Sequence, residues 1–213
     1  MADIYPSSDF DEWAPTYDES VRSEKGFPFE EYETVLKMIL RLASPEPGAR
    51  VLDMGIGTGN LARLYADQGC SIWGLDFSAK MLEIAHSKIS GLVCGKADLR
   101  REWPPEFDLH FDRIVSAYTF HHFTLDEKRT LVQRILNESL AENGILVIGD
   151  IAFQDAAAQE ASRARLGSDW EQEEYWLADE TISAFHAAGI NCRFTPVSYC
   201  TGVFQFGTMV ADG

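Results

Sequence analysis

A glycine-rich segment, VLDMGIGTGNL, joins an apolar run to an amphipathic stretch between Val51 and Leu61. Its glycines, Gly55, Gly57 and Gly59, stand where a buried strand would pass into a helix. Because glycine has no Cβ, the backbone can turn sharply there and approach a ligand closely, while the first N–H groups of the helix remain available as donors. This pattern is typical of a site for a nucleoside-type cofactor.

Acidic residues follow at the ends of two predicted strands. Asp76 lies 21 residues after Gly55, at a point where a carboxylate can accept two hydrogen bonds from the diol of a ribose. Asp53 ends the strand that precedes the glycines. A carboxylate at that point suits a cofactor that carries positive charge and would repel a pyrophosphate.

The glycines alone leave two cofactors open. Gly57, Gly59 and Ala62 satisfy GxGxxA, the dinucleotide fingerprint, with Asp76 19 residues after Gly57, so a nicotinamide-dependent oxidoreductase is one interpretation. Three features favour a cofactor without phosphates that carries a sulfonium and an amino group. They are the acid at Asp53, a predicted closing hairpin, and a chain too short for a separate substrate domain.

Strands and helices that can position these residues alternate from Arg50 onward. The predicted strands are 50–54, 70–75, 91–94, 111–116 and 144–149, and the predicted helices are 60–68, 79–88, 126–140, 155–165 and 179–188. This alternation indicates an α/β fold with a parallel sheet covered on both faces. Two further strands, 191–196 and 202–208, have too few residues between them for a crossover helix, so we predict a hairpin with one antiparallel strand.

The first 47 residues precede this α/β region and are predicted to be helical, with an apolar face that repeats over 32–40. We expect residues 1–47 to form a lid and residues 48–213 to form the cofactor-binding part of a single-domain protein. Trp13 and Tyr17 lie four residues apart, as on one face of a helix, and we assign Trp13 to packing. A lid that excludes water favours a reaction that water would otherwise disturb.

These motifs resemble those of the class I S-adenosylmethionine (SAM) dependent methyltransferases, and more narrowly the small bacterial methyltransferases of the YrrT type. The resemblance rests on FDEWAPTYDESV, VLDMGIGTGNL, GLDFSAKML and AYTFHHFTLDEK and extends from about Phe10 to Thr208. It implies a Rossmann-like, doubly wound sheet of seven strands, mostly parallel with the last strand antiparallel. It also implies SAM as cofactor and S-adenosylhomocysteine (SAH) as product.

The resemblance further implies a role for individual residues of the cofactor site. Asp53 and the glycine loop hold the methionine part, which Tyr17 also faces, Asp76 holds the ribose, and Asp98 holds the adenine amino group. Met81 lines the adenine or belongs to the core. The predicted cofactor-binding residues are Tyr17, Asp53, Gly55, Gly57, Gly59, Asp76, Phe77, Met81, Asp98, Leu99 and Ser116.

Candidate catalytic groups follow the fourth and fifth strands, where His121 and His122 occur in SAYTFHHF and Asp150 occurs in VIGDIAF. One histidine is expected to face the acceptor pocket, where a general base is one interpretation, and a solvated strand-end acid is the alternative for Asp150. Adjacent histidines on a regular element point in different directions and cannot both bind one metal without a loop. No further ligands stand at a recognisable spacing, so we expect no metal.

The composition narrows the choice of acceptor. The 213 residues include 18 Lys plus Arg against 34 Asp plus Glu, a net charge of −16, which would repel nucleic acid. Enzymes that methylate exocyclic amines of bases resemble one another in an Asn/Asp-Pro-Pro-Tyr/Phe motif, which SAYT at 116–119 replaces. We predict a small-molecule acceptor, methylated on oxygen, nitrogen or sulfur by in-line displacement. The surplus of Asp and Glu residues in segments 1–47 and 169–180 favours neutral or cationic acceptors over phosphorylated ones.

The remaining expectations concern location and assembly. The chain has no run of 18 apolar residues and no basic-then-apolar start, so we expect a soluble cytoplasmic protein without a membrane partner. The sequence carries no signal for oligomeric state. A non-catalytic SAM-binding protein that has lost its acceptor pocket is a third interpretation, beside the methyltransferase and the oxidoreductase.

Overall fold

The structure is a computed structural model that describes residues 7–23 and 26–208. Its helices are α1 Ser7–Trp13, α2 Tyr17–Ser23, α3 Tyr32–Ala43, α4 Asn60–Ala66, α5 Ala79–Lys88, α6 Leu125–Arg134, α7 Ala156–Leu166 and α8 Ala178–Ala187. Its strands are β1 Arg50–Met54, β2 Ser71–Asp76, β3 Val93–Lys96, β4 Phe111–Ala117, β5 Leu140–Phe153, β6 Trp176–Leu177, β7 Ile190–Pro196 and β8 Thr201–Thr208. Residues 1–6 and 24–25 of the predicted lid, and 209–213 of the predicted cofactor-binding part, lie outside the described residues.

Seven strands form one sheet in the order β3-β2-β1-β4-β5-β8-β7. Strands β1 to β5 pair in parallel, and β8 runs antiparallel to both β5 and β7. The two-residue strand β6 pairs with the end of β5. The predicted doubly wound, mostly parallel sheet with an antiparallel last strand is therefore confirmed. In this order the carboxyl ends of β1, β2, β4 and β5 meet at one edge of the sheet, where ligands of such folds bind.

The sheet is buried between two apolar layers. Val51 and Val115 pack with residues of α3, α4 and α5, whereas their neighbours Leu52 and Ile114 pack with residues of α6 and α8. Successive side chains of a strand point to opposite faces, so helices on both sides are needed to cover them. Among the described residues, no helix combines the length and the apolar character needed to cross a membrane.

Two elements differ from the sequence prediction by more than two residues at one or both ends. The sequence predicts a helix at 126–140. The α-helix α6 ends at Arg134, and one turn of π-helix follows it over Ile135–Ser139. The strand predicted at 144–149 extends over all of β5, with a bulge near Asn143, whose φ is 65°. A bulge inserts residues that have no partner on the neighbouring strand, so the apolar alternation does not mark where pairing starts.

The N-terminal segment divides into two structurally different parts. In the described residues α1 fully buries no side chain and α2 fully buries only Val21, with Tyr17 partly buried, whereas α3 buries five residues and packs against the sheet. The prediction that Trp13 and Tyr17 share one helix is wrong, because a turn at 14–16 separates α1 from α2. Pro15 lies in that turn and has no N–H to continue a helix. The rings of Trp13 and Tyr17 nevertheless pack edge to face, with their centroids 4.7 Å apart.

Candidate functional site

The glycine loop leaves β1 and is held against the end of β2. The N–H groups of Gly55 and Ile56 both donate to the carbonyl oxygen of Leu75, at 2.8 and 3.0 Å. Gly59, with a φ of 85°, closes the loop as the residue that caps the start of α4. The loop is thus fixed at both ends to the elements that the sequence predicted around it.

Gly55 and Gly57 both have positive φ, at 70° and 53°, but they differ in their surroundings. A Cβ on Gly55 would lie 2.1 Å from Oγ1 of Thr119, so this residue must be glycine for the loop to pack on the chain that follows β4. A Cβ on Gly57 would have no described atom within 4 Å. The loop is therefore packed at Gly55 and open at Gly57.

Asp76 lies at the end of β2 beside this open part of the loop and is only 5% exposed. Its Oδ2 accepts the N–H of Gly57 at 2.8 Å, and its Oδ1 accepts the N–H of Ser78 at 2.9 Å. Burial raises the pKa of Asp76 to about 6, although these backbone hydrogen bonds oppose the shift. A carboxylate oxygen has two lone pairs, so Asp76 can still accept hydrogen bonds from a ligand.

Asp53, at the carboxyl half of β1, is buried more completely, with 1% exposed. The carboxylate receives a hydrogen bond from the N–H of Ala62, but its Oδ2 has no partner within residues 7–23 and 26–208. Burial, and then the negative charge of Asp76, raise the pKa of Asp53 to about 8. A buried acceptor without a partner is unfavourable unless a ligand satisfies it, and a cationic ligand group would do so best.

A narrow pocket of about 20 Å³ lies in front of these groups, lined by Tyr17, Tyr32, Asp53 and Gly57 among others. The hydroxyl groups of Tyr17 and Tyr32 interact there. Burial raises the pKa of Tyr17 well above its usual value and that of Tyr32 to about 12, so both phenols are neutral. Pockets for cofactors measure on the order of 300–1,000 Å³, so this pocket as it stands is too small to hold one.

Helix α1 is docked on the loop that follows β2. Oδ1 of Asp11 accepts hydrogen bonds from Oγ of Ser78 at 2.5 Å and from the N–H of Lys80 at 3.1 Å. The ring of Phe10 packs edge to face on Phe77, with centroids 4.8 Å apart. Phe77 directly follows Asp76, so α1 covers the loop at the end of β2.

Helix α2 is docked on the other side of the glycine loop through Asp18. Its Oδ1 accepts hydrogen bonds from Oγ1 of Thr58 at 2.5 Å and from Nδ2 of Asn60 at 3.0 Å, and its Oδ2 pairs with Lys88. Burial would raise the pKa of Asp18, but these contacts outweigh it and lower that pKa. The carboxylate is therefore ionised and holds α2 close to the N-terminus of α4.

Asp98 and Leu99 follow β3, and both are engaged within the protein. The Asp98 carboxylate accepts hydrogen bonds at 2.9 Å from the guanidinium of Arg100 and pairs with Arg101 at 3.4 Å. Partial burial would raise the pKa of Asp98, but the Arg100 contacts lower it. Leu99 is buried in the apolar layer beneath. A ligand that donates a hydrogen bond to Asp98 would have to use a carboxylate lone pair that neither arginine occupies.

Ser116 and Met81 are buried, and their polar contacts are with the protein itself. Oγ of Ser116 donates to the carbonyl oxygen of Met54 at 2.6 Å, which ties β4 to the last residue of β1. The N–H of Met81 donates to Oγ of Ser78 and so completes the N-cap of α5. Ser116 thus supports the strand end from which the glycine loop begins.

His121 and Asp150 meet where the chain after β4 crosses the end of β5. The N–H of His121 donates to Oδ2 of Asp150 at 2.9 Å, and Nδ1 of the ring lies 2.6 Å from Oδ1. Asp150 is completely buried and also accepts from the N–H of Ile151 and from Nε1 of Trp176, at 2.8 and 3.1 Å. The alternative that Asp150 is a solvated strand-end acid is therefore wrong.

The two histidines differ in their electrostatic surroundings. Burial would lower the pKa of His121, but the Asp150 carboxylate outweighs burial and raises it. Burial likewise would raise the pKa of Asp150, and His121 lowers it. Burial, followed by the influence of His121, lowers the pKa of His122 to about 3.

Glu173, in the loop before β6, faces both imidazoles. Its Oε2 lies 3.5 Å from Nε2 of His121, and its Oε1 lies 3.7 Å from Nδ1 of His122. A 3₁₀ turn over Phe120–His122 supplies the irregular backbone that brings the two rings to a centroid distance of 4.1 Å. Glu173 carries no motif that links it to the histidines, and the surplus of acid over 169–180 was its only sequence signal.

Comparison with known proteins gives the site a context. Residues 51–144 match the family described as methyltransferase domain. The chain is 34% identical over 200 residues to the uncharacterized methyltransferase YrrT of Bacillus subtilis (strain 168), a match that covers 87% of this chain and 90% of the relative.

Solved structures share the fold at low sequence identity. The DhpI-SAM-HEP complex is similar with a TM-score of 0.74 and 17% identity, covering 97% of this chain and 98% of that one. The [4+2]-cyclase SpnF is similar with a TM-score of 0.68 and 17% identity, covering 94% and 93%. Because this fold also occurs in an enzyme named for a different reaction, the fold alone does not identify the reaction, which depends on the residues of the site.

Proposed function

The chain belongs to the SAM-dependent methyltransferases, and from that premise we propose that it transfers the methyl group of SAM to an oxygen, nitrogen or sulfur atom of a small molecule. The observation that carries the proposal is the buried Asp53, whose Oδ2 has no partner among the described residues. A carboxylate there suits the positively charged methionine end of SAM. It disfavours the pyrophosphate of NAD, which the oxidoreductase interpretation requires.

The cofactor residues predicted from the sequence keep their roles in this proposal. Asp53 and the open Gly57 would hold the methionine part, and Asp76 would accept hydrogen bonds from the ribose. Their support is the set of buried acceptors and the uncrowded backbone at Gly57. The remaining proposed contacts are Tyr17, Gly55, Gly59 and Ser116 around the glycine loop and Phe77, Met81, Asp98 and Leu99 around the adenine.

When bound, SAM supplies an electrophilic methyl group on a sulfonium, which the acceptor takes by in-line displacement. Because a neutral thioether would be a good leaving group, the protein's residues mainly orient the acceptor and exclude water. We propose His121 and His122 as the groups that face the acceptor, with a general base among their roles. Asp150 is a positioning residue, because it acts through Nδ1 of His121.

We propose that α1 and α2 form the lid and that α3 does not. The support is that α1 and α2 bury almost no side chains of their own. Asp11 docks α1 on the loop after β2, and Asp18 docks α2 on Thr58, which lines the pocket of about 20 Å³. Helix α3, which the sequence prediction placed in the lid, packs on the sheet.

The acceptor is proposed to be neutral or cationic rather than phosphorylated. A pocket of about 260 Å³ beside the histidines is lined by Glu173, Glu174 and Glu180. The cation in its lining, Lys128, donates to the carbonyl oxygen of Glu174 and lies over the ring of Trp176, at 4.4 Å from the centroid. The carboxylates therefore outnumber the cation and favour a substrate of the opposite charge.

Thermal unfolding in the presence of SAH or of NAD tests the proposed function. At a SAH concentration of about 100 times its Kd, binding to the folded state adds about 2.7 kcal/mol, which corresponds to a rise in Tm of roughly 5–10 °C. NAD should leave the Tm unchanged. Amide exchange in α1 and α2 should slow when SAH binds, as expected of a lid. Stabilisation by NAD alone contradicts the proposal, and unchanged exchange rates contradict the lid.

Transfer of labelled methyl groups from SAM to a panel of neutral, cationic and phosphorylated small molecules completes this test. The expected result is transfer to members of the first two groups. Tight SAH binding without transfer to any acceptor would instead favour the non-catalytic interpretation.

Affinity for SAH should increase as the pH rises from about 6 to about 8. The ammonium group of SAH prefers the ionised form of Asp53, and the ribose hydroxyls donate best to the ionised form of Asp76. The pKa values of these two groups are raised to about 8 and about 6 in the ligand-free protein. Below pH 8 binding must release a proton from Asp53. The Kd should therefore rise by up to about tenfold for each unit by which the pH falls below 8. Calorimetry at three pH values in this range measures the trend.

An Asp53→Asn variant is the control for this pH dependence, and its Kd should vary much less over the same range. Stability should change in the opposite direction. Because the folded-state pKa of Asp53 exceeds the unfolded value, its contribution is fully present near pH 4 and is lost as the pH rises through 8. A Kd for the unmodified protein that does not vary with pH would rule out Asp53 as the partner of the cationic end.

A further inference from the structure

Three side chains that bind metals in other proteins converge beside the proposed acceptor pocket. The ligand atoms of His121, His122 and Glu173 all lie within 4.8 Å of one another. We propose that they form a binding site for a divalent transition-metal cation, with Nε2 of His121, Nδ1 of His122 and a Glu173 carboxylate oxygen as ligands. Two imidazoles and a carboxylate are a donor set that suits Zn²⁺ and Fe²⁺. The site stands on its own geometry, whatever the methyl acceptor is.

The distances between the donor atoms fit a single small cation. Nε2 of His121 is 3.5 Å from Oε2 of Glu173, and Nδ1 of His122 is 3.7 Å from Oε1. In a tetrahedral zinc site with bonds of about 2.1 Å, neighbouring ligand atoms are about 3.4 Å apart. Both separations are within a few tenths of an ångström of that value, but they involve different oxygens of Glu173, and the full set of ligand atoms lies within 4.8 Å. Binding one cation would therefore require the side chains to rotate and draw closer together.

Asp150 gives His121 the support that metal-bound histidines need. Ring nitrogens that bind metals are usually fixed by a hydrogen bond from the other ring nitrogen to a carboxylate. Nδ1 of His121 makes this contact with Oδ1 of Asp150 at 2.6 Å, and Nε2 is thereby directed toward Glu173. Asp150 itself is held by the indole of Trp176 and by backbone N–H groups.

The backbone explains how neighbouring histidines can share a cation. On a strand or an α-helix their side chains would diverge, but the 3₁₀ turn over Phe120–His122 directs both rings to the same carboxylate. An ion pair between His121 and Glu173 is the alternative for the same arrangement. The Zn²⁺ titration distinguishes this ion pair from a metal site.

Zn²⁺ titration of the full-length protein, stripped of metals with a chelator, tests the site by calorimetry and by elemental analysis after dialysis. The expected result is one Zn²⁺ per chain, with an affinity at least about 100-fold lower in Glu173→Gln and in His122→Asn. Glu174→Gln is the matched control, because this exposed neighbour should leave the Zn²⁺ affinity unchanged. Chemical unfolding without metal establishes that each variant is folded.

Substitution with Co²⁺ adds a readout that needs no variant. Binding by nitrogen and oxygen donors in a tetrahedral site should give a visible absorption band in the unmodified protein, and the band should disappear with competing Zn²⁺. Absence of Zn²⁺ binding and of this band overturns the proposal. So does equal Zn²⁺ affinity in Glu173→Gln and Glu174→Gln. Neither outcome bears on whether the protein binds SAH, so the two proposals fail independently.

Discussion

Gly57→Ala is expected to weaken SAH binding strongly while the protein remains folded. The added methyl group meets no described atom within 4 Å, so it projects into the space where we expect the cofactor to lie. The residue has a φ of 53°, and alanine in this left-handed region destabilises the fold by about 1–2 kcal/mol. Calorimetric titration with SAH should show a Kd raised at least about 100-fold, with urea unfolding to measure the stability.

Gly55→Ala is the matched comparison two residues earlier in the same loop. Here the methyl group would lie 2.1 Å from Oγ1 of Thr119, and φ is again positive at 70°. Overpacking and backbone strain together should lower the free energy of unfolding by about 2–5 kcal/mol. The main effect of Gly57→Ala is therefore expected on SAH affinity, and the main effect of Gly55→Ala on the free energy of unfolding. Normal SAH affinity in Gly57→Ala would show that the open side of the loop is not the cofactor site.

Asp76→Ala should weaken SAH binding by about 100-fold to 10,000-fold. Two hydrogen bonds from the ribose to an ionised carboxylate are worth about 1.5–3 kcal/mol each. The substitution also removes the acceptor for the N–H groups of Gly57 and Ser78, so a loss of stability of about 1–3 kcal/mol is expected as well. Calorimetry on the folded variant separates the two effects.

Two further variants at acidic positions sharpen the Asp76 result. Asp76→Asn keeps the shape and one acceptor, so its SAH affinity should fall between that of Asp76→Ala and that of the unmodified protein. Asp108→Ala removes an exposed acid from the loop before β4 and should leave affinity unchanged. A folded Asp76→Ala protein with normal affinity would refute the ribose assignment.

The parts of the fold that were predictable from sequence are those whose signals are local. Strand β1 and helix α5 begin and end at the predicted residues. β1 ends where glycines allow the backbone to turn. Ser78 caps the start of α5, because its Oγ accepts a hydrogen bond from the N–H of Met81. Each boundary is thus set by residues within one turn of it, which is the range over which a pattern in the chain can be interpreted.

The parts that were not predictable depend on residues distant in sequence. Asp11 reaches Ser78 across 67 positions, and no periodicity links them. Glu173 approaches the histidines only because the loop before β6 folds back over the end of β5. Asp98, which the resemblance assigned to the adenine amino group, also pairs with the arginines two and three positions later. Side chains choose among such partners by packing and charge, which spacing does not encode.

As the proposed lid, helices α1 and α2 would add an opening step to each turnover. The pocket beside Tyr17 of α2 measures about 20 Å³, so on this proposal SAM would enter and SAH would leave when the two helices move away. Each opening would break the Asp18–Lys88 ion pair and the hydrogen bond from Ser78 to Asp11. The frequency of opening would then be an upper limit on the turnover rate, however fast the methyl transfer itself is.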